Sequence, residues 1–449
     1  MNKVKIQYHK NSCVYGEYLK NNDWFIFLDS CNDISSFGKY DIISSNPYIK
    51  ITSWGNQINL NKEGVDSSFY DNPFDIIRKY FKKSTNFTDL PFNSGMIGYF
   101  GYDSLNSFNN SQSEFPDIAV GFYDWSIIVN HLEKISYIVF KDENTLISKV
   151  IKKFSNEKNK SNTNILDKKS VFSNFSQSIS KEKYIDDVKK IKNYISDGDC
   201  YQVNYSQEFT ANYKGDPWNI YKNIRKINPA PYSSFLNFDE KYVISSSPER
   251  FISVIKNHVE TKPIKGTLKR LKDPNLDKEQ IRILKNDEKN ISENLMIVDL
   301  LRNDLSKCCK LGSVKVTKLF DIESYASVHH MVSTIEGKLN QVDSSINILE
   351  ACFPGGSITG APKIRSMEII NELEKRRRGV YCGSIGYFDE NNNMDTNICI
   401  RTIMMNKNKL TFAAGGGIVH DSDPEDEYYE SLEKVAIFID YFSNGSFKW

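Results

Sequence analysis

Lys265, in the stretch Glu260-Thr-Lys-Pro-Ile-Lys-Gly-Thr267, is placed where an amine can act as a nucleophile. A solvated lysine titrates at about 10.4, so attack requires a pocket that disfavours the charged form. The flanks suit such a pocket: Pro263 fixes a torsion, Ile264 offers dry wall and Gly266 lets main chain approach a ligand. The competing reading is a solvated turn lysine, because Lys262, Lys269 and Arg270 crowd the same segment.

Acids that complement an amine occur in three places. Glu249 follows a proline in Ser246-Ser-Pro-Glu-Arg-Phe251; burial would make it a proton donor, and pairing with Arg250 would make it an ordinary ion. Residues 290–304 read as a helix with an apolar middle, buried on most sides, with Glu293 in its first turn. Burying that carboxylate calls for a nearby cation, since a helix dipole supplies only roughly 0.3–1 kcal/mol. In residues 421–434, Pro424 suits a first helical turn and Glu427 and Glu430 share one face. Together with Glu293 they describe a Mg²⁺ site with positions left open for water and substrate, the alternative being acids placed to complement a helix dipole. The histidines and cysteines have no ligand spacing, so neither zinc nor iron is indicated.

Cationic and glycine-rich segments complete the set. In Phe353-Pro-Gly-Gly-Ser-Ile-Thr-Gly-Ala-Pro-Lys363, free amides and Lys363 at a helix start can meet an anion, although the run is not a Walker loop. The glycines of Ala413-Ala-Gly-Gly-Gly-Ile-Val419, Gly416 and Gly417 among them, can turn several amides toward one carboxylate. Arg401 alternates with apolar neighbours on an expected strand, where its fork suits a carboxylate or a structural ion pair. His330 is a candidate proton-transfer or hydrogen-bonding group, or a satisfied core histidine. These features ask for a small dianion held by Mg²⁺ on one side and by arginine and amides on the other, with a lysine and an acid over its ring.

The elements that must position them are those of an ordinary globular chain: 449 residues, 39% hydrophobic, 26% charged and 13% aromatic. A net charge of +1 excludes the global basic field of a nucleic-acid binder. The cysteines form no C-x-x-C pair, no apolar run approaches a membrane span and the N-terminal stretch has no signal-like core, so a cytoplasmic location without membrane attachment is expected. Residues 1–153 read as a β-rich part with strands at 23–28, 49–54, 96–100, 118–123, 126–129 and 135–140. Residues 154–180 read as a linker or mobile loop. Residues 181–449 read as the catalytic region, with helices at 181–195, 217–226, 280–305, 343–352, 362–374 and 424–442 and strands at 203–209, 233–238, 242–246, 314–321, 384–388, 396–404 and 410–415. Grouped strands favour an α+β fold of large antiparallel sheets over a doubly wound parallel sheet.

The chain resembles the chorismate-utilising enzymes. The similarity is dense across residues 180–440, at 198–204 (Gly-Asp-Cys-Tyr-Gln-Val-Asn), 247–251, 263–267, 293–299, 353–363, 383–387 and 414–419, and looser at 27–30 and 94–100. It implies antiparallel sheets packed as a sandwich with helices outside. It further implies attack by Lys265 on ring carbon 2 of chorismate, protonation of the departing 4-hydroxyl by Glu249, and ammonia addition at carbon 4 to give 4-amino-4-deoxychorismate for 4-aminobenzoate and folate synthesis. By resemblance, Glu293 and Glu430 would bind Mg²⁺ with Glu427 in support. Ser357, Tyr387, Arg401, Gly416 and Gly417 would bind chorismate, Lys363 would join them, and His330 would stand near the ring. Anthranilate synthases resemble the chain closely but carry alanine where Lys265 stands. Isochorismate and salicylate synthases carry a water-activating lysine where this chain has Gln202, which is no base. Asn290 replaces a carboxylate usual in relatives, and Ser30 falls in an element that binds tryptophan in some of them. No Gly-x-Cys-x-Gly elbow exists for glutamine hydrolysis, so a separate glutamine amidotransferase subunit is implied. The alternatives are an anthranilate synthase, or a non-catalytic chorismate- or tryptophan-binding subunit.

Overall fold

A computed structural model describes residues 1–31, 39–84, 88–105, 113–155, 170–325, 328–340, 342–445 and 447. Two antiparallel sheets of twelve strands each dominate it. The first runs in the order Asn2–Ile6, Ile135–Phe140, Trp125–Asn130, Tyr40–Ser44, Ile26–Asp29, Tyr232–Phe238, Lys241–Ser247, Thr402–Asn406, Lys409–Ile418, Gln202–Lys214 and Val171–Gln177, with Gly360–Ala361 pairing on Gln202–Lys214. The second runs Ile264–Lys269, Val328–Lys338, His258–Thr261, Arg250–Ile255, Met394–Asn397, Ser384–Asp389, Gly95–Phe100, Ile118–Tyr123, Ile49–Trp54, Gln57–Lys62 and Val65–Tyr70, with Lys315–Ser324 pairing on Val328–Lys338. The expected α+β class and its antiparallel sheets are therefore correct.

Strand alternation sorts side chains into layers. Trp24 and Ile26 point between the sheets, where they join Ile97, Tyr99, Leu236, Val243 and Ile385. Phe25 and Phe27 point outward, under the helices Cys13–Leu19 and Pro217–Ile227. On the far sheet Met96 and Phe100 likewise turn outward, into a core shared with Phe74 and with Ile297 and Leu301 of the helix Glu288–Ser306. Strands covered on both faces, such as Gly95–Phe100, Ile118–Tyr123 and Trp125–Asn130, are buried throughout, and unbroken apolar runs mark them in the sequence.

Four expectations need correction. Within the expected linker 154–180, residues 156–169 lie outside the described set, but Val171–Gln177 is a strand paired with Gln202–Lys214. It is the sheet's last strand, so one face stays wet and its apolar signal is thin. Residue 180 divides neither sheet, because both contain strands from before and after it. The expected helices 280–305 and 424–442 are each two helices: Pro274–Lys285 and Glu288–Ser306, then Pro424–Glu433 and Ala436–Ser443. The expected strand 396–404 is broken, with Met394–Asn397 in one sheet and Thr402–Asn406 in the other.

Candidate active site

The chain crosses between the sheets at two neighbouring joints, and each joint carries a reactive side chain. Pro248 and Glu249 connect Lys241–Ser247 of the first sheet to Arg250–Ile255 of the second; residues 398–401 return from Met394–Asn397 to Thr402–Asn406. The joints satisfy each other's main chain: Ile398 N–H donates to the Glu249 carbonyl at 3.0 Å, and Ser246 N–H donates to the Arg401 carbonyl at 3.0 Å. The Ser247 hydroxyl adds a bond to the Ile398 carbonyl at 2.6 Å. Arg401 is therefore not on a strand as expected; it takes a left-handed conformation, φ 51°, in the joint.

Both side chains open into a cavity of about 690 Å³, whose lining includes Asn204, Lys265, Glu293, His330, Ser357, Gly417, Glu427 and Glu430. Burial pushes the Glu249 carboxyl up to about 7, with the Ser357 hydroxyl, Lys265 and Lys434 pulling the other way; Ser357 Oγ donates to Glu249 Oε1 at 2.9 Å. Such a group is half protonated near neutrality and suits general acid catalysis. Burial also depresses Arg401 below the usual guanidinium range, and among the described residues it has no carboxylate within ion-pair distance, which leaves its fork for an anionic ligand.

Lys265 stands at an irregular register in the pairing of Ile264–Lys269 with Val328–Lys338, where Lys265 faces Met331 and Thr267 faces His330. Gly266 takes φ 74°, and a Cβ there would lie 2.8 Å from Leu284 Cδ1 and 2.9 Å from Asn290 Cγ. Its smallness thus admits two flanking helices rather than a ligand alone. His330 Nδ1 bonds the Thr267 hydroxyl at 2.7 Å. Burial, then the charge of Arg401, lowers His330 to about 4. The expected proton-transfer role near neutrality is not supported by that environment; a neutral hydrogen-bonding role is.

Three lysines lie on the three glutamates: Lys265 Nζ is 3.4 Å from Glu293, Lys289 Nζ 3.6 Å from Glu427 and Lys434 Nζ 2.7 Å from Glu430. Glu427 and Glu430 converge over Gly416, where a Cβ would lie 3.0 Å from Glu427 Oε2 and 3.6 Å from Glu430 Oε1. Among the described residues no three His, Cys, Asp or Glu are already gathered closely enough to hold an ion. The donor chemistry nonetheless fits a hard divalent cation: carboxylate oxygens in one cavity, their charge balanced by ammonium groups that can move aside. Glu293 sits in the second turn of Glu288–Ser306, not the first, because Asp287 caps that helix. Only one face of the helix is buried, and Leu295 is exposed.

Two expected substrate residues lie elsewhere. Lys363 Nζ binds Asp304 at 2.6 Å and the Cys352 carbonyl at 2.8 Å, a structural anchor for its helix. Tyr387 lines a second cavity of about 100 Å³ between the sheets, together with Ser30, Asp29, Tyr232 and Asp395. Ser30 is held there by Asp41, which accepts from its amide at 2.8 Å and its hydroxyl at 2.7 Å. Sequence reasoning gave no role to Asn204 or Lys289, both of which line the main cavity, or to Lys434. The i,i+4 spacing of Glu430 and Lys434 was a legible signal; Asn204 closes the motif 198–204, and Lys289 carried none.

Residues 25–440 match the chorismate binding enzyme family. The chain is 39% identical over 433 residues to aminodeoxychorismate synthase component 1 of Escherichia coli (strain K12), covering 94% of each. It is 36% identical over 437 residues to anthranilate synthase component 1 of Aquifex aeolicus (strain VF5), covering 92% of this chain and 88% of that one. Among solved structures, anthranilate synthase component I from Streptococcus pneumoniae TIGR4 superposes with a TM-score of 0.77 at 29% identity, over 88% of this chain and 91% of the other. With a match of that extent, and with the acid, the lysine and the glutamates gathered in one cleft, the chain belongs to the chorismate binding enzymes.

Proposed function

We propose that this enzyme aminates chorismate with ammonia to 4-amino-4-deoxychorismate, the precursor from which 4-aminobenzoate is made. The observation that carries the reading is Lys265 in the same cavity as the buried acid Glu249. Arg401 and the glycine-rich strand Lys409–Ile418 bind one substrate carboxylate. A Mg²⁺ held by Glu293 and Glu430 with Glu427 in support would anchor the ring carboxylate and neutralise its charge. Attack needs the uncharged amine, so Lys265 gives up its contact with Glu293 and releases a proton to water before its nitrogen bonds carbon 2. Glu249 delivers its proton to the 4-hydroxyl, which departs as water. Ammonia then bonds carbon 4, the bond from Lys265 to carbon 2 breaks, and the proton shed by the new amine restores the acid.

Ammonia release from glutamine calls for a thiolate, and burial raises all eight cysteines here, Cys200 to about 11 and Cys13 to about 12 among them. A separate amidotransferase subunit supplies the ammonia, in keeping with relatives named as a component 1.

The similarity to anthranilate synthases supports a second reading, amination at carbon 2. Purified protein with chorismate, Mg²⁺ and ammonium, coupled to a 4-aminobenzoate-forming lyase, separates the two. 4-Aminobenzoate is expected, together with a transient adduct on the Lys265 peptide in mass spectra. Lys265→Ala should lose both. Anthranilate as the sole product would overturn the first reading, and chorismate binding without turnover would point to a non-catalytic subunit.

A further inference from the structure

Behind the cavity lies a buried ion pair that the chemistry above does not use. Arg378 is 1% exposed and its partner Glu374 is fully buried, with Nη2 2.6 Å from Glu374 Oε1 and Nε 3.1 Å from Oε2. The rings of Tyr102 and Tyr381 flank the guanidinium, at 4.7 and 5.9 Å from their centroids. Glu374 also accepts from the Ser206 amide at 2.9 Å and its hydroxyl at 2.8 Å, and Arg376 Nη2 lies 3.2 Å from Glu374 Oε2. A pair this deep gains little over well-packed apolar side chains, so its remaining donors are the informative part. Arg378 Nη1 donates to the Ile358 carbonyl at 2.9 Å, and Nη2 donates to the Asn204 carbonyl at 2.7 Å. Ile358 follows Ser357 in the short turn Gly356–Ile358, and Asn204 belongs to the strand that lines the cavity.

We infer that Arg378 is a positioning residue for the proton donor: it clamps the turn Gly356–Ile358 to the strand Gln202–Lys214, so that the Ser357 hydroxyl is held against Glu249. The inference rests on Glu249 being the acid of the proposed reaction. The rigid fork is essential, because a lysine offers one compact cation and cannot reach both carbonyls and Glu374 together. Glu249 also faces Lys265 from the strand Ile264–Lys269 and Lys434 at the end of the helix Pro424–Glu433, and it shares its cavity with His330, Arg401, Glu293 and Glu430. Neither lysine is part of the clamp, so loosening the turn removes the Ser357 bond while leaving those charges in place. A hydroxyl that donates to a carboxylate favours the ionised form.

The test is the ionisation of Glu249 in the free protein, read from the carboxylic acid carbonyl band in infrared difference spectra and assigned with Glu249→Gln. Ser357→Ala should raise its midpoint by about one pH unit. Arg378→Lys should raise it by a similar amount, and the double variant no further, because both changes remove one hydrogen bond. The falling limb of the amination pH profile should move with it. If Arg378→Lys does not fold, Arg378→Met combined with Glu374→Gln removes both charges while keeping an acceptor for Ser206 and Arg376, and should give the same upward shift. A wild-type midpoint in the Arg378 variants, or shifts that add to that of Ser357→Ala, would overturn the inference. Wild-type protein that forms no aminated product would instead sink the proposed function, and the infrared titration would still decide the role of Arg378.

Discussion

Replacing Glu249 by glutamine should separate catalysis from stability. Burial raises this carboxyl from 4.5 to about 7, and at about 1.36 kcal/mol per pH unit that corresponds to roughly 3 kcal/mol. The folded state holds the proton more tightly than the unfolded chain. The resulting stability is complete below pH 4.5 and is lost as pH rises through about 7. Glutamine stays neutral throughout and its carbonyl still accepts from Ser357. The variant should therefore be more stable than wild type at pH 8, by up to about 3 kcal/mol, and nearly equal to it at pH 4.5. It should also lose turnover, because no proton reaches the leaving hydroxyl, while wild-type kcat falls about tenfold per pH unit above neutrality. Urea midpoints at the two pH values, with unchanged denaturant slopes, and the coupled chorismate assay measure both effects. A variant no more stable than wild type at pH 8 would refute the burial argument, and retained turnover would refute the assignment of the acid.

Arg401→Ala should raise the chorismate KM roughly 10- to 100-fold through loss of charge-assisted hydrogen bonds, and an unchanged KM would remove Arg401 from the substrate site. His330 should remain neutral down to about pH 5, given its depression to about 4; nitrogen chemical shifts read this directly, and a midpoint near 6.5 would contradict the environment described. Gly415→Ala would place a Cβ 2.0 Å from the Tyr205 carbonyl oxygen of the neighbouring strand. It should cost about 1–3 kcal/mol of stability, visible as a lower thermal midpoint. Glu293→Gln and Glu430→Gln should each weaken Mg²⁺ binding in calorimetric titration, and wild-type heats in both would place the cation elsewhere.

Much of the fold was legible because strands buried on two faces write largely apolar runs: the expected 96–100, 118–123 and 126–129 fall on observed strands. Strands with little buried surface were hidden. Val65–Tyr70 is exposed along most of its length and Val171–Gln177 lies at a sheet end, so neither alternates strongly enough to stand out. The site was readable residue by residue but not in its wiring. Lys265, Glu249, Ser357, Arg401 and the three glutamates do share a cavity. Tyr387 and Lys363 were misplaced because a motif records proximity in sequence, and their strand and helix point these side chains elsewhere. Arg378 was invisible, being one of four consecutive cations from Lys375 whose burial is decided by tertiary packing alone.

The cleft needs carboxyls of two kinds, one that keeps a proton near neutrality and one held anionic, and Glu249 and Glu430 show how one cavity provides both. Glu249 is buried, yet among the described residues no ammonium lies within ion-pair distance of it, so burial dominates and its carboxyl rises to about 7. Burial presses Glu430 upward as well, but Lys434 at 2.7 Å, with Lys289 and Lys265 beyond it, more than offsets it and holds the group below the usual carboxylate range. The difference follows from the elements that carry them. A helix such as Pro424–Glu433 sets Glu430 four residues before Lys434 and so pairs them locally. A sheet joint gives the Glu249 carbonyl the Ile398 amide, its own amide the Ser247 hydroxyl, and its carboxyl only the Ser357 hydroxyl. Divergent environments for chemically identical side chains are how acid and anion roles are assigned within one site. Moving the acid to position 430 would give it a lysine one turn on and cost it the proton.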